Sequence, residues 1–286
     1  MDLTGIHHLT AVSADIRGNY RFYTGTLGMR LVKRSVNQDD VSAYHLFYAD
    51  AVGSPGTDLT FFDWKMPQER RGTRSLVRTH LRVRGRATLE WWAARFASMG
   101  VPAGTPAERD GRLTLDFEDP EGQRLALVDD GGQGGAFTPW DRSPVPVEHQ
   151  IRGLGPIVMS VPSLGGTVEI LTQVMHLRPV RTYPFGDNAA HTVQVFEMGE
   201  GGPEGAHHKQ QTDPEQRLLP PKAVRGVTTE QGPRDRSPQG RAHGQGVLQV
   251  LQVSKLSLQL SGGAVNGPLR APGPSGQDRC ILLRRK

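Results

Sequence analysis

Gly5-Ile6-His7-His8-Leu9-Thr10 is the stretch that decides the fold. It lies within a predicted β-strand over Ile6–Val12. Because side chains alternate between the two faces of a strand, His8 and Thr10 should share one face, and His7 should lie on the other. An inward-facing neutral imidazole is either a metal ligand or a buried histidine with a satisfied hydrogen bond, and the spacing alone leaves both interpretations open.

This strand begins a pattern of strand, helix and further strands that recurs about every 70 residues. The pattern predicts a first module over residues 1–70, a second over 71–135 and an incomplete third over 153–202. A proline-containing linker over residues 136–152 separates the second module from the third. We therefore expect an α+β fold of tandem βαβββ modules, whose mixed sheets form open barrels.

Two residue types mark the ends of the predicted helices. Asp15 and Ser163 stand where an N-cap side chain would accept a hydrogen bond from the first helical turn. Gly28 and Gly100 follow the last periodic apolar residues, where a helix commonly ends in the left-handed conformation.

Residues 203–286 differ from the rest of the chain. Phe196 is the last aromatic residue, and 20 of the 84 residues in this tail are Gly or Pro. We expect much of the tail to be of low order, because it has little apolar surface to offset the entropy of ordering. A reading-frame shift near residues 203–210 would produce the same change in composition, and a genuine but divergent tail is the alternative.

Charge is distributed as unevenly as aromatic content. The 286-residue chain carries a net charge of +5, with a pI of about 9.6. The tail holds 13 Lys/Arg and 6 Asp/Glu, a net charge of +7, which leaves −2 for residues 1–202. The basic pI therefore belongs to a segment without aromatic stacking platforms, and we expect no nucleic-acid partner.

The remaining composition bears on the cellular compartment. Cys280 is the single cysteine, so the chain can form no internal disulfide, and a reducing compartment fits best. The sequence begins without the basic and apolar regions of a secretory signal, and it has no apolar run near the roughly 18 residues of a membrane helix. We expect a cytoplasmic protein without a membrane partner.

Several stretches together resemble a known family. They are GIHHLT at 5–10, FYTGTLGMRLVK at 22–33, YHLFY at 44–48, PGTDLTFF at 55–62 and PVEHQIRG at 146–153. Over about residues 3–200 the chain resembles the vicinal oxygen chelate superfamily, which includes glyoxalases, bleomycin resistance proteins and extradiol dioxygenases. Within it, the chain is most similar to the ring-cleaving dioxygenases that act on hydroquinones.

The resemblance implies a divalent metal, Fe(II) or alternatively Mn, held by two histidines and one glutamate. His8 matches the first ligand, while His7 and Thr10 match residues that line the substrate pocket. The second histidine and the glutamate should come from a fourth module, but residues 203–286 contain no sequence that matches it. His207-His208 lies in a polar, loop-like sequence. Glu148-His149 falls in a segment that serves as a connector in the family.

The resemblance also implies a function. It predicts an extradiol-type dioxygenase with a small dihydroxylated aromatic substrate and O2, and it allows a homo-oligomer. Thr10 would shape the pocket, and His7 would act as an acid/base or substrate-orienting group. Two alternatives remain open at this point: a glyoxalase-type lyase or isomerase on the same fold, and a metal-free ligand-binding protein with a defective site.

Overall fold

A computed structural model gives the architecture and describes residues 3, 5–37, 41–135, 137–185, 188–199, 256–258 and 279–285. Its strands are β1 His8–Ser13, β2 Arg30–Val36, β3 Tyr44–Ala49, β4 Asp58–Asp63, β5 Ser75–Val83, β6 Ala107–Arg109, β7 Arg112–Glu118, β8 Arg124–Asp129, β9 Gly153–Val161, β10 Arg178–Phe185, β11 Asn188–Met198, β12 Leu256–Leu258 and β13 Arg279–Arg285. Its α-helices are α1 Ile16–Arg21, α2 Arg86–Ser98 and α3 Leu164–Glu169. Helices α1 and α3 continue as π-helical turns over Phe22–Thr26 and Ile170–Val174.

The strands form two open sheets of mixed orientation. The first has the order β12-β1-β4-β3-β2, and the second has the order β10-β11-β13-β9-β5-β8-β7-β6. The predicted α+β fold class is therefore confirmed. The predicted tail at 203–286 lies mainly outside the described residues, and the parts of it that the structure describes are β12 and β13.

The first two groups of strands share one arrangement. In the first sheet β4 lies parallel to β1 and antiparallel to β3, and in the second sheet β8 lies parallel to β5 and antiparallel to β7. A helix follows the first strand of each group and forms part of the long connection that such a parallel pair requires. Strands β5 and β9 then pair antiparallel, which joins the second group to the third.

In the third group, the strand next to the first strand runs in the opposite direction to β4 and β8 of the other groups. Strand β13 lies between β9 and β11, but it runs antiparallel to β9 and parallel to β11. It is also separated from β11 by about 80 residues, whereas the loops before β4 and β8 are of ordinary length.

Helix ends follow local chemistry at one cap and not at the other. Asp15 Oδ1 accepts a hydrogen bond of 3.0 Å from the Gly18 N–H, so the predicted cap of α1 is confirmed. Ser163 stands at the N-cap position of α3, as predicted, with extended backbone, but its side chain makes no capping hydrogen bond among the described residues. Gly28 and Gly100 have φ of +70° and +67°, as a left-handed helix end requires.

One apolar core lies between the helices and the sheets. Its largest fully buried side chains include Trp92 and Phe96 of α2, Tyr23 of the first π-helical turn, and Tyr48 and Phe61 of the first sheet. Tyr23 stacks on Tyr48 at 5.2 Å between ring centroids and lies 4.6 Å from Phe61. In the described part of the chain, none of the helices has the length and apolarity to cross a bilayer.

Candidate functional site

The first sheet has one face packed against the core and one polar face. Leu9 and Ala11 of β1 point into the core, with 0% and 1% of their surface exposed. The side chains between them, His8 and Thr10, therefore lie on the opposite face. Paired positions on neighbouring strands share that face, which we call the polar face: His8, Thr10, His45, Phe47, Asp58, Thr60 and Phe62.

A chain of hydrogen bonds crosses the polar face from β1 to β3. Thr60 Oγ1 donates to Thr10 Oγ1 over 2.9 Å, and Thr60 Oγ1 lies 3.0 Å from His45 Nε2. Both threonine side chains are buried. The chain fixes the Thr10 hydroxyl, because a buried hydroxyl with a partner on a rigid neighbouring strand loses its rotational freedom.

His45 is further held by aromatic rings. Its ring centroid lies 3.9 Å from that of Phe62, with the two rings stacked, and 4.1 Å from that of Phe47. Trp64 extends the stack from Phe62 at 4.8 Å, and Lys33 Nζ lies 5.2 Å from the Phe47 centroid. Burial, together with the nearby His8 and Lys33, lowers the pKa of His45 to about 4, so its imidazole is neutral at pH 7.

His7 lies immediately before β1 and is exposed. Its Nδ1 is 3.0 Å from the Nδ1 of His8, and the two rings meet edge to face at 5.2 Å. Strict alternation does not hold at this position, because the regular strand begins only at His8. The structure therefore brings the His7 ring beside His8, where alternation predicted it on the other face.

Asp58 is the carboxylate that strand pairing sets next to His8. The two residues are register partners in the parallel β1–β4 pair. Asp58 Oδ1 is buried and has no hydrogen-bond partner among the described residues, and burial, with a smaller contribution from Asp50, raises the pKa of Asp58 to about 6. A buried, unsatisfied carboxylate oxygen is uncommon and marks a place where strain or a ligand has to be considered.

The described residues do not assemble a full metal-ligand set around His8. Across them no group of three or more His, Cys, Asp or Glu side chains is placed to hold one ion. A facial triad needs three such ligands held together, so His8 with its neighbours His7 and Asp58 fits only part of this requirement. The second histidine and the glutamate that the resemblance implied are not among the described residues.

The second sheet offers no equivalent site in its described part. Asp116 is held by a bidentate pair with Arg109, at 2.9 and 2.7 Å, and by an ion pair with Arg78. His149 lies 4.6 Å from Trp91 in a ring stack, and its Nδ1 is 3.2 Å from Thr88 Oγ1. These contacts support a structural role for the connector, as the sequence indicated for Glu148-His149.

Sequence reasoning missed His45 and Asp58 as neighbours of the site. Their strands were predicted, but which residue lies opposite which depends on the register of β3 against β4 and of β4 against β1. The alternation within Tyr44-His45-Leu46-Phe47 carried a usable signal, since it sets His45 and Phe47 on one face.

The first two groups of strands both have the order first-fourth-third-second. Residues 5–127 match the family model described as Glyoxalase/Bleomycin resistance protein/Dioxygenase superfamily. This part of the chain is therefore similar to the domains of that superfamily.

Similar proteins carry dioxygenase names. The chain is 40% identical over 203 residues to "Putative ring-cleaving dioxygenase MhqA" of Bacillus subtilis, a match that covers 71% of this chain and 64% of that protein. It is 32% identical over 157 residues to chlorohydroquinone/hydroquinone 1,2-dioxygenase of Sphingobium indicum, which covers 52% of this chain and 47% of the relative. The chain thus spans about half to two thirds of the length of these curated relatives.

A solved structure shares the fold. The crystal structure of a "putative dioxygenase" from Bacillus subtilis is 29% identical and superposes with a TM-score of 0.58. The match covers 68% of this chain and 71% of that chain.

Proposed function

We propose that the protein is a ring-cleaving dioxygenase acting on dihydroxylated aromatic compounds such as hydroquinones. The observation that carries the proposal is the 40% identity over 203 residues to the Bacillus subtilis relative. The polar face supports it, since it offers an imidazole, a fixed hydroxyl and aromatic rings at one place. The activity is a proposal for this chain because the chain spans only part of its relatives.

In this proposal each residue of the opening stretch has a role. His8 is a ligand of the divalent metal, with Fe(II) as the first candidate and Mn as the second. Thr10, held by Thr60, shapes the pocket beside it. His7, with its Nδ1 3.0 Å from that of His8, orients the substrate or exchanges a proton with it.

A second candidate function is a metal-free protein that binds aromatic ligands. It is favoured by the absence, among the residues that the structure describes, of three metal-ligating side chains in one group. A single histidine binds Fe(II) weakly, because affinity arises from several ligands fixed together.

Metal analysis and oxygen uptake separate the two candidates. The full chain is purified, incubated anaerobically with Fe(II), desalted and assayed for iron, and then supplied with hydroquinone and air-saturated buffer. A dioxygenase retains near-stoichiometric iron and consumes one O2 for each ring cleaved. His8→Ala abolishes both, whereas the connector variant His149→Ala retains both. Iron-free protein that binds hydroquinone without oxygen uptake supports the second candidate.

A further inference from the structure

His45 is the most tightly fixed polar group on the polar face. Its ring packs against Phe47 and Phe62, and its Nε2 lies within hydrogen-bond distance of Thr60. The His45 side chain is only partly buried. Its contacts with Phe47, Phe62 and Thr60 are therefore not simply those of a residue enclosed in the core. Such fixation is typical of a group whose orientation matters to a ligand.

The direction of the hydrogen-bond chain determines which nitrogen of His45 carries the proton. With Thr60 donating its hydroxyl hydrogen to Thr10, the Thr60 oxygen accepts the hydrogen of His45 Nε2. A neutral imidazole has one donor and one acceptor, which leaves Nδ1 as the acceptor. No described residue donates a hydrogen bond to that Nδ1.

The surroundings of this acceptor are aromatic. The His45 ring lies between Phe47 and Phe62, and Trp64 stacks on Phe62 on the same side of the sheet. An aromatic ring can pack against such a stack, and a hydroxyl on that ring can donate to a fixed acceptor at its edge. An apolar ring with phenolic hydroxyls combines both properties.

We propose that His45 is a substrate-binding residue, whose Nδ1 accepts a hydrogen bond from a ring hydroxyl of a dihydroxylated aromatic compound packed against the Phe62–Trp64 stack. This inference rests on the proposed function, because it supplies the contact by which that site would distinguish a phenol from a plain hydrocarbon ring. Thr60 is then a positioning residue, which acts by holding the His45 tautomer.

The test compares two probes of similar shape on the full chain. Hydroquinone and p-xylene are titrated anaerobically without added metal, and dissociation constants are measured by ligand-observed NMR. His45→Phe keeps an aromatic ring and removes the acceptor. The matched control is His149→Phe, because His149 also stacks on an aromatic ring and lies within hydrogen-bond distance of a threonine hydroxyl, but in the connector.

The expected result is a loss of about 3- to 10-fold in hydroquinone affinity for His45→Phe, with p-xylene affinity unchanged and His149→Phe equal to wild type. Equal hydroquinone affinity in wild type and His45→Phe overturns the role of His45 and leaves the proposed function standing. Wild-type protein that binds neither probe overturns the role of His45, while iron retention and oxygen uptake decide the proposed function separately.

A measurement without substitution covers the case in which His45→Phe does not fold. In wild-type protein labelled with 15N-histidine, hydroquinone should shift the Nδ1 resonance of His45 toward the position of a hydrogen-bonded acceptor, and p-xylene should not. An Nδ1 resonance that carries a directly bonded proton, or that does not respond to hydroquinone at saturation, overturns the assignment.

Discussion

At the scale of single residues, Asp130 is a buried charge that pairs with two arginines. Its Oδ2 accepts hydrogen bonds from Arg82 Nη1 at 3.0 Å and from Arg152 Nε at 2.8 Å. The side chain of Asp130 is fully buried, and that of Arg82 is 5% exposed. Charges that deep in a protein are tolerated only when they are paired.

Removing the charge of Asp130 should therefore be costly. Asp130→Asn takes the carboxylate away from the buried Arg82 and from Arg152, and we expect a loss of about 3 to 5 kcal/mol in the free energy of unfolding. Urea denaturation measures it. The control is Glu90→Gln at the exposed Arg86–Glu90 pair, which should cost less than about 0.5 kcal/mol. Equal effects of the two substitutions would contradict the prediction.

His80 should make stability depend on pH. Its Nδ1 donates to the Pro156 carbonyl over 2.9 Å, yet burial lowers its pKa to about 4 from a usual value of 6.5. The unfolded chain therefore binds more protons between these values, so stability should fall as pH drops from about 6.5 and level off below about 4.

The variant His80→Gln isolates this contribution. Asp58 and Asp119, whose pKa values are raised to about 6 mainly by burial, act in the opposite direction in the same range. The quantity to measure is the difference in unfolding free energy between wild type and variant from pH 8 to pH 4, with pH 8 as the baseline. A difference that does not change with pH would refute the assignment.

At the scale of elements, the two N-cap positions have different contacts although the sequence predicts both alike. Asp15 makes its capping hydrogen bond, and Ser163 makes none. The type of residue at a helix start is visible in the sequence, but the rotamer that completes the cap depends on the packing of the first turn.

This difference can be measured by truncating each cap. We expect Asp15→Ala to cost about 1 kcal/mol of unfolding free energy, since it removes the acceptor of the Gly18 N–H, and Ser163→Ala to cost close to zero. Thermal unfolding of the two variants under the same conditions gives the comparison. A larger loss for Ser163→Ala would show that the assignment of the caps is reversed.

Strands β1 to β5 were predictable because their alternation and turn residues are local signals. The sequence places strands at Ala43–Tyr48 and Asp58–Trp64, and the structure has Tyr44–Ala49 and Asp58–Asp63. Strand β6, with three residues, has too few positions to show alternation. The contact between Thr60 and His45 was not predictable, because register is fixed by all the strands of the sheet together.

At the scale of the whole molecule, the second sheet curves until its two ends meet. Arg181 of end strand β10 makes a bidentate ion pair, at 2.6 and 2.7 Å, with Asp110 in the turn between β6 and β7 at the other end. Within the described residues this contact is between side chains, and no pairing of β10 with β6 accompanies it.

Breaking this pair should loosen both ends of the sheet. With Arg181→Gln we expect amide hydrogen exchange in β10 and β6 to become roughly 5-fold faster, which corresponds to about 1 kcal/mol. Arg178→Gln on the same strand is the control, because within the described residues Arg178 donates to the nearby Gly199 carbonyl and not to the other end of the sheet. Exchange that rises in β10 but not in β6 would mean that the pair does not join the two ends.

Strand β13 has a consequence for how the protein is made. Until it is synthesised, the facing edges of β9 and β11 have no strand between them, and unpaired edges are templates for aggregation. The ribosome needs roughly 4 to 16 seconds for the roughly 80 residues that separate β11 from β13. During that interval the edges of β9 and β11 that later pair with β13 are exposed in the nascent chain. A chaperone that bound these edges during translation would protect the chain from aggregation.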